Sequence, residues 1–213
     1  MKTICKYCGC DCASREFRDK WTCIHGCEEL FDNLSREEIC KDPWLAWQYA
    51  YHVDNKAMPD TRAACLKDPQ YVIDYARYLD HQPSDDSREA ACKDPEYAIE
   101  YARLVDKCAR DATREAACKN PRYAVDYACN VDKEPKDYTR NAACKDSQTA
   151  FFYMLNVDKC QHDATEQAVL GTKYENVYKV AVFAYSLGED ITKYSDDDGY
   201  GFGILSETYD DED

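Results

Sequence analysis

No uninterrupted apolar run in this 213-residue chain approaches the ~20 residues that a membrane-spanning helix requires, so no such helix is expected. The opening Met1-Lys2-Thr3-Ile4-Cys5 lacks the apolar stretch of a secretory signal. Positive charge is in deficit: 27 Lys and Arg stand against 42 Asp and Glu, a formal net charge of −15. An acidic surface repels nucleic acid and bare membrane, which points to proteins or cationic surfaces as partners, although solubility alone also accounts for such a charge. Catalytic signatures are missing as well. There is no P-loop, G-x-G-x-x-G, G-x-S-x-G or H-E-x-x-H, and the four histidines (His25, His52, His81, His162) are scattered. The expectation is a protein that is not an enzyme.

What the chain has in abundance is periodicity. Arginine stands at 36, 62, 88, 114 and 140, tyrosine at 49, 75, 101, 127 and 153, and aspartate at 54, 80, 106, 132 and 158, always 26 residues apart. A hydroxyl residue precedes each arginine (Ser35, Thr61, Ser87, Thr113, Thr139), and Thr165 opens a sixth, degenerate copy. A period of this size marks a stacked array whose units cannot fold alone. The fold class expected is all-α: an α-solenoid of five to six two-helix repeats behind a small amino-terminal Cys-rich zinc module.

In the third copy Ser87 is an N-cap candidate, and in the first copy Ser35 with Glu38 fits a capping box. Asp94-Pro95 starts a second helix, with Asp at the N-cap and Pro at N1; Asp42-Pro43, Asp68-Pro69 and Asn120-Pro121 repeat this, and Asp146-Ser147 loses only the proline. Positions 97, 98, 101, 102 and 105 gather on one apolar helix face. Cysteine and leucine exchange at 40, 66, 92, 118, 144 and 170, which indicates a small buried hydrophobe rather than a reactive thiol. The tyrosines read as core, with hydroxyls reaching the rim of the stack. Arg at a helix start and Asp at a helix end both oppose the helix dipole, so they are expected to pair, either across the loop (Asp80 to Arg88) or between neighbouring copies.

The string Arg-x-Ala-Ala-Cys-Lys-Asp-Pro, with Asp eleven residues after the proline, resembles the leucine-rich repeat variant family. That resemblance implies short paired helices stacked into a superhelix. The chain also resembles Thr-Arg-x-Ala-Ala-Cys-x-x-Pro-x-Tyr-Ala arrays of tailed bacteriophages, which its tyrosine and lysine richness approaches more closely. The two resemblances cover residues 35 to about 165 and speak to fold rather than activity.

The ends differ from the array. Residues 1–27 carry five basic and three acidic groups, and Cys5-x-x-Cys8 and Cys23-x-x-x-Cys27 suit a tetrahedral zinc site. The second pair, followed by Leu30 and Phe31, falls where a helix should start, and the arrangement resembles a treble-clef finger. All four ligands being Cys, such a site is structural, and the metal would supply much of the folding free energy. Cys10, Cys12 and His25 are further ligand candidates, and four Cys would serve an iron–sulfur cluster equally well. Residues 174–187 show a helical stripe (Val177, Val180, Ala181, Ala184, Leu187) ending at Gly188, which suits a closing helix. Residues 189–213 hold one lysine against ten carboxylates.

The organisation expected is therefore a zinc module at 1–34, the array at 35–170, a capping helix at 171–188 and an acidic tail at 189–213. The functional expectation is a cytoplasmic, non-enzymatic protein-binding scaffold; by the phage resemblance, it would be a viral accessory protein that binds or inhibits a host protein in the host cytoplasm. Its candidate contact residues are Asp196, Asp197, Asp198, Tyr200, Phe202 and Tyr209, where an acidic, aromatic peptide could mimic DNA or dock on a basic partner. The repeat loops His81–Asp86, Lys107–Ala112 and Lys133–Tyr138 vary over the fixed frame and are further recognition candidates. Alternatives are a nucleic-acid-associated zinc-finger adaptor and an iron–sulfur redox-related repeat protein.

Overall fold

The computed structural model describes residues 34–189, Phe31, and the backbone of Glu16–Phe17 and Lys20–Trp21. Those last two segments pair antiparallel, Glu16 opposite Trp21 and Phe17 opposite Lys20. Every other described element is a helix. The chain divides into two compact units, one up to Ala116 and one from Ala117.

The second to fifth copies are each a pair of seven-residue helices, for example Asp85–Ala91 and Pro95–Tyr101 in the third; the first helix of the first copy, Arg36–Ile39, is shorter. The second helix starts as its sequence dictates. Asp94 caps it by accepting from the Glu96 amide at 2.8 Å, and Pro95 takes N1, where a missing N–H is harmless. Asp42, Asp68, Asn120 and Asp146 do the same in the other copies. The first copy also keeps its capping box: the Glu38 amide donates to Ser35 Oγ at 3.3 Å, and the Ser35 amide donates to Glu38 Oε2 at 2.8 Å.

From the second copy onward the first helix begins earlier than the hydroxyl residue suggests. Helices Pro59–Cys65, Asp85–Ala91, Asp137–Ala143 and Asp163–Val169 place Thr61, Ser87, Thr139 and Thr165 inside the first turn, all buried. The expectation of Ser87 as N-cap is thus corrected to Ser84. The physical reason is a better partner. Thr61 Oγ1 meets the hydroxyl of the buried Tyr75 at 2.9 Å and also donates to the Met58 carbonyl at 3.2 Å. The same tyrosine hydroxyl accepts from the Met58 backbone N–H at 2.8 Å. Tyr101 with Ser87 and Ser84, Tyr153 with Thr139 and Lys136, and Tyr178 with Thr165 and His162 repeat the arrangement. The hydroxyls therefore lie inside the core, not at its rim. Each satisfies an amide that the helix start leaves open.

Second helices do not stop at their tyrosine. The next five residues, such as Ala102–Asp106, continue as a wider π-helical turn, seen in the bonds from Lys133 N to Ala128 O and from Lys159 N to Met154 O, both 2.8 Å. The turn ends on a left-handed residue that is never glycine: Asn55, His81, Lys107, Lys133 and Lys159, with φ between 50° and 58°.

Within the first unit, helix Pro69–Tyr75 packs against Pro43–Tyr49 on one side and Pro95–Tyr101 on the other. Val72, Ile73 and Ala76 share one apolar cluster with Ala90, Ala91, Tyr101 and Val105 of the following copy. Within the second unit, Ala150, Phe151, Met154 and Leu155 bury against Val169, Tyr178 and Ala181 in the same manner. This is the repeated, all-helical packing that an α-solenoid requires: each copy completes its core with its neighbour. In the third copy Ala98, Ile99, Tyr101, Ala102 and Val105 are buried, while Tyr97 is half-exposed.

Candidate interaction surface

The recurring charges form the frame on which any surface rests. Arg88 donates from Nε and Nη2 to the two carboxylate oxygens of Asp106, at 2.9 and 2.7 Å, a bidentate pair. Arg36 with Asp54, Arg62 with Asp80, and Arg140 with Asp158 follow the same 18-residue register. Pairing is therefore internal to a copy, and the suggested bond from Asp80 to Arg88 is replaced by Asp80 to Arg62. The inter-copy alternative is also realised, through a different carboxylate: Arg36 reaches Asp60, and Arg62 reaches Asp86 at 2.5 Å. Arg88 and Arg140 take Asp85 and Asp137 of their own helix instead. The guanidinium hydrogen bonds hold the Asp60 carboxyl down at about 2 and push the arginines further up. Arg36, Arg88 and Arg140 also lie over the tyrosine ring of their own copy, at 5.3 to 5.9 Å.

The repeat thiols sit in buried or half-buried surroundings. Cys118 and Cys65 are buried, and Cys40, Cys92 and Cys144 are half-buried. Burial pushes the Cys65 thiol up to about 12, and Cys129 and Cys144 up to about 11. Leu170, at the equivalent position of the sixth copy, is exposed rather than buried.

The recognition loops expected from sequence are partly occupied by this frame. In His81–Asp86, the Ser84 amide is tied to Tyr101 and Asp86 to Arg62. A more open feature lies over the π turns of the first two copies, which pack side by side. Tyr51 and Tyr78 are exposed, at 42% and 40%, and both rest on the buried Trp47, with ring centroids 5.0 and 6.0 Å from it. Their own centroids are 6.1 Å apart, His52 stands edge-on to Tyr51, and the exposed Arg77 guanidinium covers Tyr78 at 4.9 Å. Asp74, one turn before Arg77, is half-buried, and desolvation pushes its carboxyl up.

None of these positions belongs to the constant frame. The place of Tyr51 is taken by Arg77, Arg103, Cys129 and Leu155 in later copies, and that of Tyr78 by His52, Leu104, Asn130 and Asn156. The rings pack against one another, so they form an aromatic cluster rather than a cage around a small ligand. Sequence reasoning assigned repeat aromatics to the core and passed over this cluster. The one signal available was that Tyr51 and Tyr78 stand where other copies carry Arg, Cys, Leu, His or Asn.

The candidate metal ligands Cys5, Cys8, Cys23 and Cys27 lie outside the described residues, as do Cys10, Cys12 and His25 and the tail residues Asp196, Asp197, Asp198, Tyr200, Phe202 and Tyr209. Among the described residues no three His, Cys, Asp or Glu side chains are grouped to hold a metal ion, and no helix is long and apolar enough to cross a membrane. Compared with protein-family models, curated proteins and solved structures, the chain matches none.

Proposed function

We propose that this chain is a non-enzymatic scaffold that binds another protein, and that the Trp47–Tyr51–Tyr78–Arg77 cluster is a principal contact. The observation that carries the reading is the exposure of two tyrosines and an arginine on a buried tryptophan, at positions the repeat does not constrain. Tyr, Trp and Arg on a preorganised surface are the residue types that dominate binding energy at interfaces. Buried Tyr75 and half-buried Arg36 and Arg62, each held by hydrogen bonds, brace the copies beneath this surface, which favours a small loss of conformational entropy on association.

By the motif resemblance stated above, the scaffold belongs to a viral accessory protein acting on a host protein in the host cytoplasm. The spacing of Cys5, Cys8, Cys23 and Cys27 supports a structural zinc at its amino-terminal end. One zinc per purified, colourless chain is the expected result of metal analysis; a brown protein containing iron would replace zinc with a cluster.

The binding test uses Tyr51→Ser/Tyr78→Ser in the full chain, both at exposed positions. The expected outcome is an unchanged circular-dichroism melt together with loss of the protein captured from host lysate by the native chain. Equal capture by both forms would remove the cluster from the interface.

A further inference from the structure

The aromatic cluster belongs to a cationic strip, in a chain whose formal net charge is −15. The π turns Ala50–Asp54, Ala76–Asp80 and Ala102–Asp106 pack side by side in chain order. On these turns and their left-handed exits the exposed side chains include Tyr51, Arg77, Tyr78, Arg103 and Lys107, and none is a carboxylate. Asp54, Asp80 and Asp106 of the same turns are engaged by Arg36, Arg62 and Arg88. Asp74 and Glu100, one turn before Arg77 and Arg103, are half-buried.

The two strip arginines differ from those of the frame. Arg36, Arg62, Arg88 and Arg140 each hold two carboxylates. Among the described residues Arg77 and Arg103 hold none, and Arg77 lies instead over the Tyr78 ring at 4.9 Å. A guanidinium carries a planar fork of N–H donors that fits the edge of a carboxylate, and stacking on a ring leaves those donors available. Arg77 and Arg103 occupy the same place in successive copies, so their turns lie about 8–10 Å apart, the spacing of packed helices. A second exposed group, Val180, Phe183 and Leu187 on the terminal helix Glu175–Ser186, lacks this chemistry. Val180 and Leu187 were expected to pack inward and are 68% and 63% exposed, but Lys179 beside them is already paired with Glu175 at 2.5 Å.

We infer that the strip takes an acidic segment of another protein, whose carboxylates pair with Arg77, Arg103 and Lys107 while an apolar side chain rests on Tyr51 and Tyr78. The inference rests on the scaffold reading above and adds the chemistry of the partner. Its few cations match the carboxylates of a short segment. A nucleic-acid interface commonly neutralises about 6–10 phosphates, and the net charge of this chain repels a long polyanion.

The test is a panel of short synthetic peptides graded in net charge, each with one Leu or Phe, titrated against the labelled full chain. The native chain should select peptides rich in Asp and Glu. Arg77→Glu/Arg103→Glu alters exposed positions only, and its circular-dichroism melt should match the native one. It should bind the best acidic peptide weaker by about tenfold or more, and a peptide with Lys in place of Glu should restore binding. Arg77→Gln/Arg103→Gln should lose the acidic peptide without gaining the Lys form. Selection of neutral or basic peptides, binding of none, or equal affinity of the native and charge-reversed chains overturns the inference. If Tyr51→Ser/Tyr78→Ser still abolishes capture in that case, the scaffold reading stands without it. Tighter binding of an oligothymidylate than of any peptide, lost on charge reversal, overturns it in favour of nucleic acid. A native dimer that charge reversal dissociates overturns it in favour of a second copy of the chain.

Discussion

The tyrosine hydroxyl is the residue on which most of the local geometry turns. Tyr75 is about as buried as an alanine in this core, yet it carries a polar atom that answers both the Met58 amide and the Thr61 hydroxyl. Tyr75→Phe keeps the ring and strands the amide. A buried donor without a partner costs about 1–3 kcal/mol, so a denaturant titration should show that loss with an unchanged m-value. The carboxylate ladder gives a second prediction. Asp158 is buried and pairs with Arg140, which is 7% exposed, so Asp158→Ala leaves a buried guanidinium with only Asp137; about 3 kcal/mol of stability should disappear. Acid provides a third. The Asp60 carboxyl lies at about 2 in the folded chain against about 3.9 unfolded, so its contribution is present above pH 4 and is lost as pH falls towards 2. Melting temperatures between pH 5 and 2 should fall less steeply for Asp60→Asn than for the native chain; parallel curves would deny the ion pair a role.

At the scale of elements, the sequence was informative where a single residue type decides the backbone. Asp or Asn before Pro marks the start of a second helix because both residues act locally, through a cap and a fixed φ. Gly188 marks the last helix end for the same reason. First-helix starts were misread by three residues because Ser87 has two possible partners, an amide of its own helix or the tyrosine hydroxyl fourteen residues on, and only the fold brings the second within reach. The π turn and its left-handed exit leave no local signature: Lys107, Lys133 and Lys159 occupy a conformation that sequence rules reserve for glycine and asparagine. That placement is strained by about 1 kcal/mol per residue. Lys133→Gly relieves it, less the entropy that glycine adds to the unfolded chain, and a small rise in the urea midpoint is expected. A fall would show that the lysine side chain stabilises the turn.

Across the molecule, the repeat period announces stacking but leaves the surface unspecified. Trp47 occupies a core position filled by Ile73, Ile99, Val125 and Phe151 in other copies, one that the expected apolar face at 97, 98, 101, 102 and 105 left out; the exposure of Tyr51 and Tyr78 above it was not legible either, because apolar periodicity assigns aromatics to the core. The Arg–Asp register was likewise hidden, since two carboxylates per copy lie within plausible reach of each arginine. What unites these features is that a copy has no core of its own. Ile73 of the second copy belongs to a cluster completed by Tyr101 and Val105 of the third.

Amide hydrogen exchange of the full chain with Ile73→Ala, resolved by mass spectrometry, examines that dependence directly. A large-to-small change at a buried isoleucine removes about 2–5 kcal/mol. If neighbouring copies share one core, exchange must accelerate in helix Pro95–Tyr101 as well as in Pro69–Tyr75. Acceleration confined to Pro69–Tyr75, with the third copy as protected as in the native chain, would contradict the account.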